Sequence, residues 1–100
     1  MTITTVETWA ITYSVPNELG EFGIDIVTQD VEVDTDGRET GRSEGGWSWT
    51  AAPHGTTSWK LVDATAMLAT LGYENIGVSR WSESIGGGLP CWEVPVRKLA

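Results

Sequence analysis

The sequence predicts an α+β protein in which one helix packs on one face of a single twisted antiparallel sheet of about four to five strands. Three observations support this prediction. Segments with apolar residues at every second position fill the first half of the chain, one segment has helical spacing instead, and two shorter alternating segments follow it. The element order is therefore β-β-β-α-β-β, and we expect residues 1–100 to form one domain.

The first predicted strand carries Trp9, Ile11, Tyr13 and Val15 on one face and small or polar residues on the other. Threonine and aromatic residues suit a pleated, half-buried surface. The turn-forming residues that begin at Pro16 end this strand.

The second predicted strand runs from about residue 22 to residue 35 and changes its apolar face partway. Its early isoleucines occupy even positions and its later valines odd ones: Ile24, Ile26, Val27, Val31 and Val33. Because a one-residue slip exchanges the two faces of a strand, this pattern predicts a β-bulge near Thr28 and Gln29.

A hairpin turn and a polar return connect the second strand to the third. Asp36 and Gly37 can adopt the positive φ that such turns require. Residues 38–46 are polar and rich in glycine, so we expect a mobile segment there. Residues 47–51 then form a short strand with two tryptophans on one face.

One helix is predicted at residues 58–71, where apolar residues recur at helical spacing and form a single stripe. Thr57 or Ser58 can cap its first turn, and Gly72 can end it in the left-handed conformation.

A second hairpin follows the helix. Residues 78–83 and 91–96 form its strands, and residues 85–90 form its loop. Pro95 lacks an N–H donor and therefore favours an edge position.

The core is predicted to lie between the helix and the odd-numbered face of the first strand. Its members would be Leu61, Met67, Leu68, Leu71, Trp9, Ile11, Val31 and Val33. The opposite face, or the rim, then takes the remaining tryptophans and the acidic residues.

The net charge of -8 is concentrated in the first third of the chain. Residues 1–37 contain eight acidic residues and no Lys or Arg, whereas residues 38–100 contain six residues of each sign. Because phosphate and anionic lipid repel such a chain, we expect neither direct nucleic-acid binding nor membrane binding. A basic protein surface is the partner that this charge favours.

The sequence favours a cytoplasmic setting. The N-terminal residues show neither the basic n-region nor the apolar h-region of a secretory signal. The single cysteine, Cys91, cannot form a disulfide within the chain.

The most distinctive local pattern is an acidic row, in which Asp30, Glu32, Asp34 and Asp36 occupy alternate positions with no cation between them. On a strand, such residues project from the same side about 6.8 Å apart, and neighbouring carboxylates repel by about 0.6 kcal/mol before screening. One interpretation is a solvated edge that resists aggregation. The other is a docking surface for a basic cleft, including a nucleic-acid cleft, since the spacing matches every second phosphate of a DNA strand.

Six tryptophans are more than a small core needs, so one or two should reach the surface and anchor a partner. Trp47 follows a glycine-rich segment and Trp81 follows Arg80, and we expect both to be exposed. For Trp47 and Trp49, packing in the core is the alternative interpretation.

No catalytic, cofactor or metal-binding motif stands out. His54 lies in a predicted loop and Cys91 in a predicted strand, and nothing local joins them into a nucleophile–base pair. Residues 32–43 match a calcium-binding loop only in part, because Glu32 and Ser43 occupy its first and last positions and no helix flanks it. We therefore expect no enzyme, no cofactor and no bound metal.

The sequence thus favours a non-enzymatic interaction protein that binds a basic or mixed protein surface, with inhibition or nucleic-acid mimicry as forms that such binding can take. The acidic row would steer association, and Trp47 or Trp81 would anchor it. The alternative is a structural subunit that self-associates through strand edges and tryptophan faces, and a metal-dependent enzyme is a distant third.

Overall fold

The computed structural model of the chain describes residues 2–83 and 89–99, which form six strands and one helix. In chain order the elements are β1 (Ile3–Tyr13), β2 (Gly23–Val33), β3 (Glu39–Ala51), α1 (Leu61–Thr70), β4 (Tyr73–Asn75), β5 (Arg80–Ser82) and β6 (Cys91–Lys98). All strand pairings are antiparallel.

The strands form a single sheet with the order β3-β2-β1-β6-β4, and β5 also pairs with β6. The predicted arrangement of one helix with one antiparallel sheet is confirmed. The described residues form six strands rather than four or five, because residues 73–75 add the short strand β4. Residues 39–46 are not a mobile return, since they belong to β3 and pair with β2. Backbone pairing across the long hairpin outweighs the low strand propensity of their glycines.

A β-bulge lies at the predicted position near Thr28 and Gln29, but its extra residue belongs to the facing strand, so the predicted exchange of faces within β2 is wrong. Thr28 pairs with Gly46 and Gln29 pairs with Glu44, so Gly45 is left over in β3. A Cβ atom at Gly45 would lie 2.8 Å from the hydroxyl oxygen of Thr28, which explains the glycine. The β1–β2 pairing passes this point without a shift, so β2 keeps its two faces along its length.

The core lies against the even-numbered face of β1 and not against the odd-numbered face that the sequence predicted. Its buried members are Ala10, Ile24, Ile26, Ala64, Leu68, Val94 and Val96. Ala10 pairs with Ile26 on one side and with Val94 on the other, so their side chains share one face. The small side chain of Ala10 lets the helix residues pack closely on the strands.

The predicted core is therefore correct for Leu61, Met67 and Leu68 but not for Leu71, and it is wrong on β1. Val31 is buried as predicted, but Val31 and Val33 lie on the odd-numbered face, away from the helix. Leu68 is buried, and Leu61 and Met67 pack at the margin of the core. Trp9 and Ile11 project from the other face, because they alternate with Ala10 along the strand.

The helix begins later than predicted, so neither Thr57 nor Ser58 is its N-cap. Instead the carboxylate of Asp63 accepts a hydrogen bond from the backbone N–H of Lys60 at 2.8 Å. The predicted terminator is confirmed, since Gly72 has a φ of 88°. Within the described ranges, no helix is long and apolar enough to cross a membrane.

Trp59 attaches the segment before α1 to the sheet. Its indole N–H donates to the hydroxyl of Thr12 at 2.7 Å, and that hydroxyl donates to the carbonyl of Gly23 at 3.4 Å. Thr12 is buried, and Trp59 packs against the core. These two bonds fix the start of the helix over β1 and β2.

The predicted edge position of Pro95 is wrong, because β6 lies inside the sheet. β6 pairs with β1 on one side and with the two short strands β4 and β5 on the other. Pro95 lies in the gap between the two short ladders, where its carbonyl accepts the N–H of Ile76 at 3.0 Å. The predicted β5–β6 hairpin is confirmed, and most of its loop, residues 84–88, lies outside the described residues.

Candidate functional site

The side of the sheet opposite α1 carries a continuous aromatic surface, which we call the open face. Strand register brings its side chains together, because Val27 pairs with Trp9 on one side and with Trp47 on the other. The open face is formed by Trp9, Ile11, Tyr13, Asp25, Val27, Trp47 and Trp49. The one helix in the described part of the chain packs on the other side, so these side chains can contact a partner.

Trp47 and Trp81 are both exposed, as the sequence predicted, with 66% and 45% of their surfaces accessible. Trp47 belongs to the open face. Trp81 lies on the helix side, where it faces Trp92 edge to face with ring centres 5.3 Å apart. Trp49 also lies on the open face and is half-buried. The two exposed indoles therefore cannot anchor the same flat surface.

The acidic row is divided between a strand and a turn, because β2 ends before residue 34. Asp30 and Glu32 project from the helix side of the sheet. Asp34 and Asp36 belong to the β2–β3 turn, where the carboxylate of Asp34 accepts two backbone N–H groups, each at 2.9 Å. The predicted straight line of four carboxylates is thus wrong beyond Glu32.

Arginine side chains pair with acids outside the acidic row. The ion pairs are Arg42 with Glu7 and Glu39, Arg80 with Glu93, and Arg97 with Glu74. Within residues 2–83 and 89–99, no ion pair reaches the acidic row. Two arginines, Arg80 and Arg42, border the open face. The guanidinium carbon of Arg80 lies 6.0 Å from the ring centre of Trp9. The hydrogen bond from Arg42 to the Glu7 carboxylate lowers the pKa of Glu7.

A cavity of about 500 Å³ opens at one end of the open face, between β3, the β1–β2 turn and Leu89. Asp25 is only 8% exposed within it. Its Oδ2 atom accepts the hydroxyl of Tyr13 at 3.1 Å, while its Oδ1 atom is buried with no hydrogen-bond partner among the described residues. Burial raises the pKa of Asp25, against the opposing effect of the Tyr13 bond. Burial and the nearby Asp25 charge raise the pKa of Tyr13 to about 12.

Replacing Asp25 with asparagine is expected to stabilise the fold at neutral pH by about 1 kcal/mol, because a buried charge with an unpaired oxygen disappears while Tyr13 keeps an acceptor. The pKa of Asp25 is higher in the folded chain than in the unfolded chain. The wild type therefore loses stability as the pH rises from about 4, the pKa of Asp25 in the unfolded chain, to the higher pKa of Asp25 in the folded chain. The advantage of Asp25→Asn should be absent at about pH 3 and present at about pH 7.

Urea unfolding of both proteins at the two pH values measures this difference. Tyr13 and the buried Cys91 have raised pKa values and stay neutral over the range. Glu21→Gln is the matched control, because Glu21 lines the same cavity but is exposed. A wild type as stable as Asp25→Asn at neutral pH would contradict the prediction.

Neither Asp25 nor Tyr13 was among the site residues predicted from the sequence. One signal was present, since Asp25 stands between Ile24 and Ile26, and a lone acid in an apolar strand is unusual unless it is paired or functional. The other candidates lie apart from this cavity: His54 is exposed in a turn, and Cys91 is buried in β6. The described part of the chain holds no cluster of three His, Cys, Asp or Glu side chains suited to a metal ion.

Comparisons of the chain with protein-family models, with curated proteins and with solved structures give no match.

Proposed function

We propose that this chain is a non-enzymatic binding module that docks a basic protein surface on the open face of its sheet. The observation that carries the proposal is the uncovered group of indoles, above all the exposed Trp47. An apolar centre bordered by the ion pairs of Arg42 and Arg80 has the composition of a protein interface. Aromatic side chains in such a centre supply most of the binding free energy.

The negative charge of the chain favours a basic partner. The chain has a net charge of -8, and three of its four arginines, Arg42, Arg80 and Arg97, pair with acids outside the acidic row. The acidic row is left uncompensated in the described ranges, so its field attracts a basic surface over about one Debye length. In this proposal the row steers the approach, and Trp47 anchors the complex. The proposed setting is the cytoplasm, on the sequence evidence given above.

A structural subunit that self-associates is the alternative, and charge argues against it because two copies of the chain repel each other. The long edge strand β3 carries charged side chains and the Gly45 bulge, which hinder pairing between edges. Sedimentation velocity at micromolar concentration distinguishes the two functions. We expect a monomer, and a stable oligomer would favour the structural subunit.

Docking can be tested with a displayed peptide library selected against the immobilised chain at low salt. We expect enrichment of peptides rich in Lys or Arg. For a synthesised selected peptide, Trp47→Ala should weaken binding roughly tenfold or more, the effect of a hot-spot residue. Trp81→Ala, an equally drastic change on the other side of the sheet, should leave the affinity within about twofold. Selection of neutral or acidic peptides, or equal binding by Trp47→Ala, would overturn the proposal.

The steering role of the acidic row needs a kinetic test. The variant Asp30→Asn/Glu32→Gln/Asp36→Asn removes three charges and spares Asp34, whose carboxylate holds the turn. Association with the selected peptide should slow roughly tenfold at low salt and lose most of its salt dependence, while dissociation changes little. An unchanged association rate would exclude steering by these residues. Competition by duplex DNA for a basic partner protein then tests nucleic-acid mimicry.

A further inference from the structure

Asp25, which lines the cavity at the end of the open face, carries a buried acceptor atom that nothing in the described chain satisfies. Asp25 is more than nine-tenths buried, and its side chain projects from the open face into the cavity. Oδ2 accepts the Tyr13 hydroxyl, and Oδ1 has no hydrogen-bond partner among residues 2–83 and 89–99. A buried carboxylate oxygen without a donor is costly, so this arrangement is suited to a ligand that brings one.

The walls of the cavity favour a cation. The indoles of Trp47 and Trp49 and the phenol of Tyr13 line it, and aromatic ring faces attract positive charge. The charged residues among its lining are Asp25 and Glu21, and no Lys or Arg is among the lining residues that the structure describes. An anionic ligand would be repelled from this place, and a neutral one would leave the Asp25 charge uncompensated.

The number of free acceptor atoms on the Asp25 carboxylate limits which kind of cation can bind in the cavity. A guanidinium group recognises a carboxylate best through two parallel bonds to both oxygens, and here one oxygen is already engaged. A quaternary ammonium has no N–H to donate. An ammonium group with at least one N–H can donate to Oδ1 while the aromatic rings surround its alkyl stem.

We infer that this cavity binds the ammonium end of a lysine side chain supplied by the basic partner, with Asp25 Oδ1 as its acceptor and Trp47 and Trp49 as its walls. This inference rests on the proposed function for the source of the lysine, but the cavity can be tested without any partner. A volume of about 500 Å³ accommodates such a side chain together with adjoining backbone.

The test is a titration of the isotopically labelled chain with N-acetyl-lysine methylamide, followed by NMR. We expect saturable shifts of the indole N–H signals of Trp47 and Trp49 and no saturable shift of the Trp81 signal. Asp25→Asn, which preserves size and the Tyr13 bond, should weaken binding roughly tenfold or more, because a hydrogen bond to a charged acceptor is lost. Trp81→Ala should bind as the wild type does.

Three related probes distinguish the chemistry. N-acetyl-norleucine methylamide, which has a neutral side chain of similar length, should not bind measurably, and tetramethylammonium and N-acetyl-arginine methylamide should bind more weakly than the lysine probe. Tighter binding of any of the three, or equal binding of the lysine probe by Asp25→Asn, would overturn the assignment. If the lysine probe does not bind while Trp47→Ala still weakens peptide docking, only the assignment of the cavity to a lysine side chain is contradicted. If the lysine probe binds while Trp47→Ala leaves the affinity for selected peptides unchanged, only the docking proposal is contradicted.

Discussion

Replacing Trp59 with alanine is expected to lower the free energy of unfolding by about 3–5 kcal/mol. Trp59 packs against the core, and its indole satisfies the buried hydroxyl of Thr12 at 2.7 Å. The substitution removes the apolar contact and the hydrogen bond together, and it frees the start of the helix from the sheet. For a domain whose total stability is about 5–15 kcal/mol, this loss brings the chain close to unfolding.

Two further variants separate the contributions in urea unfolding. Trp59→Phe keeps most of the apolar contact and loses the donor to Thr12, so we expect a loss of about 1 kcal/mol. Val62→Ala is the control in the helix that follows Trp59, because Val62 is 71% exposed, and its effect should stay within about 0.5 kcal/mol. A loss below about 1 kcal/mol for Trp59→Ala would show that the helix start is held by other contacts.

The second large effect is expected for Gly23→Ala, which should destabilise the fold by about 2–3 kcal/mol through overpacking. A Cβ atom at Gly23 would lie 2.6 Å from two ring atoms of Trp49 and 2.6 Å from the backbone carbonyl of Thr50. Because one of these neighbours is backbone, rotation of the indole alone cannot relieve the contact. The displaced Trp49 should also weaken binding of the lysine probe.

Gly41→Ala provides the matched control in the same sheet. Its Cβ atom would approach Glu32 no closer than 3.5 Å, an ordinary contact with the end of a flexible side chain. We expect little loss of stability, since alanine costs less conformational entropy than glycine in a strand. Equal effects of the two substitutions would refute the claim that close packing of Trp49 requires Gly23.

The sequence predicted the class of fold because that class depends on periodicity, and both the strand and the helix periods are clear. It predicted the wrong buried face of β1 for a specific reason. Trp9 and Ile11 are larger than Ala10, but burial is decided by the strands on either side, which put Ile26 and Val94 level with Ala10. Such cross-strand register is not visible within a single strand.

The candidate site shows the same limit. Exposure of Trp47 was predictable from the surplus of tryptophan and the glycine-rich residues before it. The cavity was not, because Tyr13, Asp25 and Trp49 come from three strands and meet only through pairing. The prediction that all four carboxylates of the acidic row lie on one strand was wrong at its end. The carboxylate of Asp34 accepts backbone N–H groups of the turn, and the strand therefore stops there.

The gap at Pro95 has a consequence for how this chain can associate with others. One margin of the sheet consists of two three-residue strands separated at a proline, and the other contains the Gly45 irregularity. Along the described residues neither margin is regular over its full length, which disfavours extension of the sheet by a foreign strand as in fibrils. This favours complexes formed through side chains on the faces of the sheet, where the sequence can encode selectivity.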